Sequence, residues 1–324
     1  MLQRKENISL MKTIVMVIVV FYHSMMFYSG NWFTVIKSPV VFNSNIFSII
    51  NNFQMPVFVF CSGYLYFYLN SAKSNGGIKK KVKRLIIPYI FTSILYVIPI
   101  NIFFYNLSFK EIIIKFILGI GPSQLWFLLM LFWVYVIFYY ILNSVKLDKK
   151  NLILISITCP LISTILSKFN IFQIGTAISY IPFYFLGGYI ERNNIRFNNK
   201  FIYGIFVVLV NVLIIYLTGS SSLLIKCIIK YLQLFVSYLE VILFYLLALR
   251  FRGTNSKTYK VIESNSFGIY LFHQQVIYFC LFITKGMFDP IFQILFNFFV
   301  SLLISLIITI ILKKNKITKM MFGL

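Results

Sequence analysis

Acidic residues are scarce in this 324-residue chain: 7 Asp and Glu stand against 30 Lys and Arg, and charged residues of both signs make up only 11%. A soluble globular domain carries roughly a quarter of its residues as charges, so an ordinary water-soluble fold is excluded. Histidine is scarcer still, with His23 and His273 the only two copies. The four cysteines (Cys61, Cys159, Cys227, Cys280) are scattered, with no CxxC or other ligand spacing. They read as small apolar residues, which leaves no disulfide framework, no zinc site and no expected metal. A glycine-rich nucleotide motif is also missing. Gly76-Gly77 has no strand before it and no helix pattern after it, so ATP or NAD use has no support. What the chain has in abundance is apolar surface: 60% hydrophobic residues, with 37 Phe and 22 Tyr. That content excludes disorder.

A helix needs about 20 apolar residues to cross a bilayer. Ten segments fit that length: 10–30, 46–69, 85–105, 124–142, 151–167, 171–190, 201–218, 229–249, 265–285 and 290–312. They predict an all-α polytopic membrane protein, a single domain over 1–324 with no room for a sizeable soluble unit. The fifth and sixth segments are separated only by 168–170. Segment 109–120 is too short to span and predicts an interfacial or re-entrant helix. No convincing cleavage site follows the first apolar run, so the first helix is expected to be retained.

With both termini in the cytoplasm, 23 of the 30 Lys and Arg fall on cytoplasmic segments and 7 outside. This is the bias that sets membrane orientation. The basic excess is therefore a topology signal. Its natural partners are membrane lipid and anionic cytosolic ligands, and nucleic acid drops out. The expected location is a cell membrane, of the bacterial cytoplasmic kind, crossed many times.

Polar groups inside spans are costly and mark function by default. Both histidines fall inside spans. At about 100° and 1.5 Å per residue, Lys12 and His23 lie about 20° off one face and about 16 Å apart along the axis, with Ser9 and Met16 near the same stripe. The eighth span carries Lys226, Lys230, Gln233, Ser237 and Glu240 at helical steps. Glu240, the one acid near the middle of a span, must be paired, protonated or wetted. The ninth span repeats the pattern with Glu263, Ser266, Tyr270 and His273. The second adds Asn51, Gln54, Phe58 and Cys61. Polar faces on at least four helices predict an enclosed polar cavity, with polar contacts between helices as the bland alternative. Arg84 abuts the apolar run of the third span, where its guanidinium could hold a phosphate bidentately.

These residues resemble the acyltransferase 3 family of multi-spanning membrane acyltransferases, closest to the short fucose 4-O-acetylase-like members without a soluble domain. The family opens with a D-x-x-[RK] pattern followed eleven residues later by His. Lys12 and His23 match its last two members, and Ser9 stands at the acid's position. The second-span signature resembles Phe53-Gln54-Met55-Pro56-Val57-Phe58-Val59-Phe60-Cys61-Ser62-Gly63-Tyr64, with Gln54 in a histidine position. The inner R-x-x-R ahead of L-x-x-P-Y is matched by Lys81 and Arg84 before Leu85 and Pro88-Tyr89. Leu125-Trp126-Phe127, the run 183–189 and Ser266-Phe267-Gly268-Ile269-Tyr270-Leu271-Phe272-His273 follow in order. The resemblance covers most of the chain and is specific for the family rather than for a substrate.

The resemblance implies transfer of an acyl group, usually acetyl, from cytosolic acetyl-CoA to a hydroxyl of a cell-surface polysaccharide or its lipid-linked precursor. Acetyl-CoA is then the acyl donor, and no permanently bound cofactor is expected. A sugar hydroxyl is a poor nucleophile and needs a base, for which histidine is the usual choice. His23 is the expected base, with Glu240, if adjacent, orienting its ring as the third member of a triad does. Arg84, then Lys81 and Lys12, are the expected cations for the coenzyme's phosphates. Gln54, Trp126, Tyr270 and His273 are expected to line the substrate cavity. The competing expectation is a transporter or flippase, or a non-catalytic relative, moving a glycan or acyl group through the same cavity.

Overall fold

A computed structural model describes residues 2–30, 39–42, 44–69, 77–119, 124–142, 144–166, 171–193, 195, 200–217, 222–250 and 256–324. The expected link at 168–170, Lys37, Lys73, Arg196 and Arg252 lie outside the described residues, as do the side chains of Arg4, Lys5, Lys200 and Lys226. Among the described residues the elements are helices, apart from one isolated bridge between Ser29 and Val40. In chain order they are α1 (Leu2–Met25), α2 (Ser44–Tyr68), α3 (Gly77–Tyr105), α4 (Phe109–Leu118), α5 (Trp126–Leu142), α6 (Lys149–Leu166) and α7 (Ile174–Asn193). They continue with α8 (Lys200–Leu217), α9 (Leu223–Ala248), α10 (Lys257–Thr284), α11 (Pro290–Lys314) and α12 (Lys316–Met321). Each of the ten expected segments coincides with a helix. Seven helices among the described residues are long and apolar enough to cross a membrane, while α5 and the apolar part of α8 are shorter. The short segment at 109–120 is α4, a ten-residue helix. Ser108 and Glu111 close a reciprocal capping box at its start, and this bond holds the Glu111 carboxyl below the usual carboxylate range.

An all-helical fold follows from the solvent. In hydrocarbon every backbone N–H and C=O must be satisfied within the protein, which helices do internally. The distribution of side chains on α11 is inverted relative to a soluble helix. Gln293, Asn297, Ser301, Ser305 and Thr309 are fully buried at steps of four, whereas Phe299, Leu303, Ile307 and Ile311 are exposed. Apolar residues outside and polar residues inside are the pattern of a helix that faces lipid.

Two close crossings set the frame. α10 packs along α11, and α2 packs along α7. In the second pair the backbones nearly touch: a Cβ added at Gly63 would fall 2.1 Å from the Tyr184 carbonyl oxygen, and one at Gly187 would fall 2.2 Å from that of Phe60. Small residues at such crossings let membrane helices approach by van der Waals contact, where no hydrophobic drive exists between them. Gly187→Leu should therefore force α7 off α2. The expected outcome is a loss of detergent-solubilised monodisperse protein and a lowered melting temperature, whereas Gly204→Leu, where a Cβ meets nothing within 4 Å, should leave both unchanged.

α3 is irregular for a local reason. Its turns widen at Val82–Ile86 and Ser93–Val97, each just ahead of a proline, Pro88 and Pro99. Proline lacks an N–H and its ring collides with the carbonyl four residues back, and a wide turn relieves both defects. The first widened turn carries Arg84. Gly323 returns to this region: a Cβ added there would fall 2.7 Å from Pro88 Cγ and 3.2 Å from the Arg84 carbonyl oxygen.

Candidate active site

Four helices carry the polar side chains of the site inward. On α1, Lys12 and Met16 face a cavity of about 220 Å³. On α3, Lys81 and Arg84, three apart and so neighbours on one helix face, reach the same cavity. α10 adds Ser266, Phe267 and Tyr270, and Phe58, Ser62 and Tyr66 of α2 line the rest with Phe127 of α5. The expected cation set of Lys12, Lys81 and Arg84 thus converges on one chamber, together with Tyr270. Two cations rest on aromatic rings: the Lys81 ammonium lies 4.7 Å from the Tyr135 centroid and the Arg84 guanidinium 6.0 Å from that of Phe267. Such contacts stabilise a cation without neutralising it.

The two histidines meet. His273 Nε2 lies 3.1 Å from His23 Nδ1, with ring centroids 5.0 Å apart. His273 Nδ1 lies 3.0 Å from the Ile269 carbonyl oxygen and His23 Nδ1 lies 2.9 Å from that of Val19. A carbonyl only accepts, so each Nδ1 carries a proton. His273 Nε2 is then a bare acceptor toward the His23 Nδ1–H, and His23 Nε2 keeps a free lone pair. This is the tautomer a general base needs, and the bond made by the other ring nitrogen sets it. His273 is completely buried, whereas His23 keeps part of its surface accessible.

The pair lies beyond the chamber. Tyr270 lines the chamber, and its ring centroid is 6.0 Å from that of His273. Along α1, Met16 and His23 are separated by about 10 Å at the standard rise. The Tyr270 hydroxyl donates to the Gln124 carbonyl oxygen. Gln124 in turn donates its backbone N–H to Gln274 at 3.0 Å, and its side-chain amide to the Leu271 carbonyl at 3.0 Å and to Gln275 at 3.2 Å. These bonds fasten the start of α5 to α10 beside the histidines. Gln124 was not singled out from the sequence. It stands just ahead of Leu125-Trp126-Phe127, and nothing in its spacing shows that its partners are about 150 residues away.

The other expected residues are placed elsewhere. The expected Glu240–His23 pairing does not form. The Glu240 carboxyl hydrogen-bonds with Asn211 of α8, and among the described residues no hydrogen bond or ion pair joins it to His23. The physical reason is register: the polar stripe of α9 turns toward α8 and α2, where Ser237 donates to the Asn52 carbonyl oxygen at 2.8 Å. Trp126 lines a separate recess of about 20 Å³ with Tyr89, Asn101 and Lys115. Gln54 is buried, with no partner for its Nε2 among the described residues, and it is not on the chamber wall. The α11 series from Gln293 to Thr309 also went unremarked in the sequence, although its four-residue period is legible there.

A bundle of apolar helices around a chamber lined by three cations, with an imidazole pair beyond it, defines a multi-pass membrane protein. The family model described as an acyltransferase domain, the acyltransferase 3 model, matches residues 5–312. The chain belongs to that family and is a membrane acyltransferase. No curated protein and no solved structure matches it.

Proposed function

We propose that this acyltransferase moves an acetyl group from cytosolic acetyl-CoA to a hydroxyl of a cell-surface polysaccharide or its lipid-linked precursor, with His23 as general base. The observation that carries the reading is the contact between His23 and His273 behind a chamber lined by three cations. In this reading the end of the bundle bearing Lys12, Lys81 and Arg84 faces the cytoplasm of a bacterial-type cell membrane, in keeping with the charge bias of the loops. The coenzyme's phosphates sit against Arg84, Lys81 and Lys12. The chamber is smaller than the roughly 300–1,000 Å³ that encloses a whole ligand, so it takes the slender thioester arm while the nucleotide stays at the mouth. Tyr270 stands between the chamber, which it lines, and His273, 6.0 Å from its ring centroid.

In the transfer step the acceptor hydroxyl gives its proton to His23 Nε2 as its oxygen bonds to the thioester carbonyl carbon. The carbon–sulfur bond then breaks, and the thiolate takes the proton back from His23 to leave as CoA thiol. The His23 ring is cationic between these events. His273 Nε2, accepting from His23 Nδ1–H, stabilises that cation and holds the ring in place. His273 thereby takes the positioning role expected of Glu240. A base of this kind contributes about 10²–10⁴-fold.

Membranes containing the protein, supplied with acetyl-labelled CoA and extracted surface glycan, should yield labelled glycan. Glycan carried across the bilayer without acquiring label would instead identify a carrier and end the proposal.

A further inference from the structure

One turn from the chamber residue Ser266, α10 carries a carboxylate, Glu263, that the mechanism does not use. Ser9 Oγ donates to Glu263 Oε1, joining α1 to α10 across 254 residues of sequence. Ser9 and Lys12 are three apart on α1, and residues at that spacing are neighbours on one helix face. Lys12 feels both Glu263 and Arg84 electrostatically, and Lys81 feels Lys12 and Arg84. Tyr259, one turn before Glu263, lies against the hydroxyls of Ser9 and Thr13. Three cations that share one small chamber repel each other, and an ammonium set among cations and hydrocarbon keeps its charge and place only with an anion close by. The opening pattern noted above carries an acid at position 9, where this chain has serine.

We propose that Glu263 is the positioning residue for Lys12: it reaches from α10 to the Ser9 hydroxyl, one turn from Lys12, and holds the Lys12 ammonium toward the phosphates of the acyl donor. Ser9 serves as the relay that fixes the carboxylate one turn from Lys12. This rests on the reading of the chamber as the coenzyme site. It adds that the carboxylate acting on Lys12 comes from a different helix, so Lys12 is held in place only when α1 and α10 are docked.

The test uses the full-length protein in lipid nanodiscs and measures the affinity for CoA, with no catalytic turnover required. Glu263→Ala should weaken CoA binding about tenfold, the scale of one charge-assisted contact. Moving the acid back to α1 in Ser9→Asp/Glu263→Ser should restore affinity to within about twofold, an outcome expected only if the carboxylate's position relative to Lys12 is what counts. In a Lys12→Ala background, Glu263→Ala should have no further effect. Unchanged affinity in Glu263→Ala, failure of the swap to restore it, or full additivity with Lys12→Ala would each overturn the assignment. Absence of CoA binding by the unaltered protein would remove the coenzyme site itself, a failure seen before any variant is compared.

Discussion

Replacing His23 by alanine should reduce acyl transfer about 10²–10⁴-fold while the protein still inserts at its usual level. The only imidazole in reach is His273, whose Nδ1 proton is committed to the Ile269 carbonyl and whose Nε2 points at His23 itself. His273→Ala should cost less, because the base remains and loses only its orientation and the support of its cationic form. Groups that act as a unit are strongly non-additive, so the double variant should be no slower than His23→Ala alone. The measurement is initial rate of label transfer in membranes of matched protein content. Near-normal transfer by His23→Ala would refute the base assignment. A double variant slower than the single by the full His273 factor would show that the rings act separately.

The second large effect belongs to Arg84. Its guanidinium is exposed at the chamber wall and leans on the Phe267 ring, with no carboxylate partner among the described residues. A hydrogen bond to a charged group contributes about 1.5–3 kcal/mol, which corresponds to roughly 10–150-fold in affinity. Arg84→Ala should therefore raise the KM for acetyl-CoA by about that factor and leave kcat much less affected, since the contact is present in both ground and transition states. Arg84→Lys should recover only part of the loss, because an ammonium cannot grip a phosphate bidentately. Removing the 3′-phosphate from the donor should shrink the difference between the unaltered protein and the Arg84→Ala variant if that phosphate is the partner of the guanidinium. An unaltered KM in Arg84→Ala would eliminate the role.

Much of the helix inventory was legible because hydropathy is a local property. About 20 consecutive apolar residues need no partner to declare a span, and the helical steps Glu263, Ser266, Tyr270, His273 marked the inward face of α10 correctly. Ser266 and Tyr270 do line the chamber, and His273 lies just behind it. The eighth-span stripe was equally regular, yet its Glu240 serves α8 rather than His23. Periodicity tells which residues share a face. It does not tell which neighbour that face meets, because the angle at which a helix is turned in the bundle is set by packing with helices distant in sequence. The α2–α7 crossing is an example: Gly63 and Gly187 are ordinary glycines until the two backbones are brought together.

The amino-acid sequence by itself determined that the chain is helical, that it lives in a bilayer, which residues are too polar to face lipid, and which family it resembles. Each of these follows from composition and short-range spacing, since the cost of a charge or an unpaired amide in hydrocarbon does not depend on the fold around it. Only the tertiary structure decided that His23 and His273 share a hydrogen bond, that Ser9 donates to Glu263, and that Lys12, Lys81 and Arg84 open on one chamber. Those are pairings between groups up to 254 residues apart, and they exist only when helix faces are docked in register.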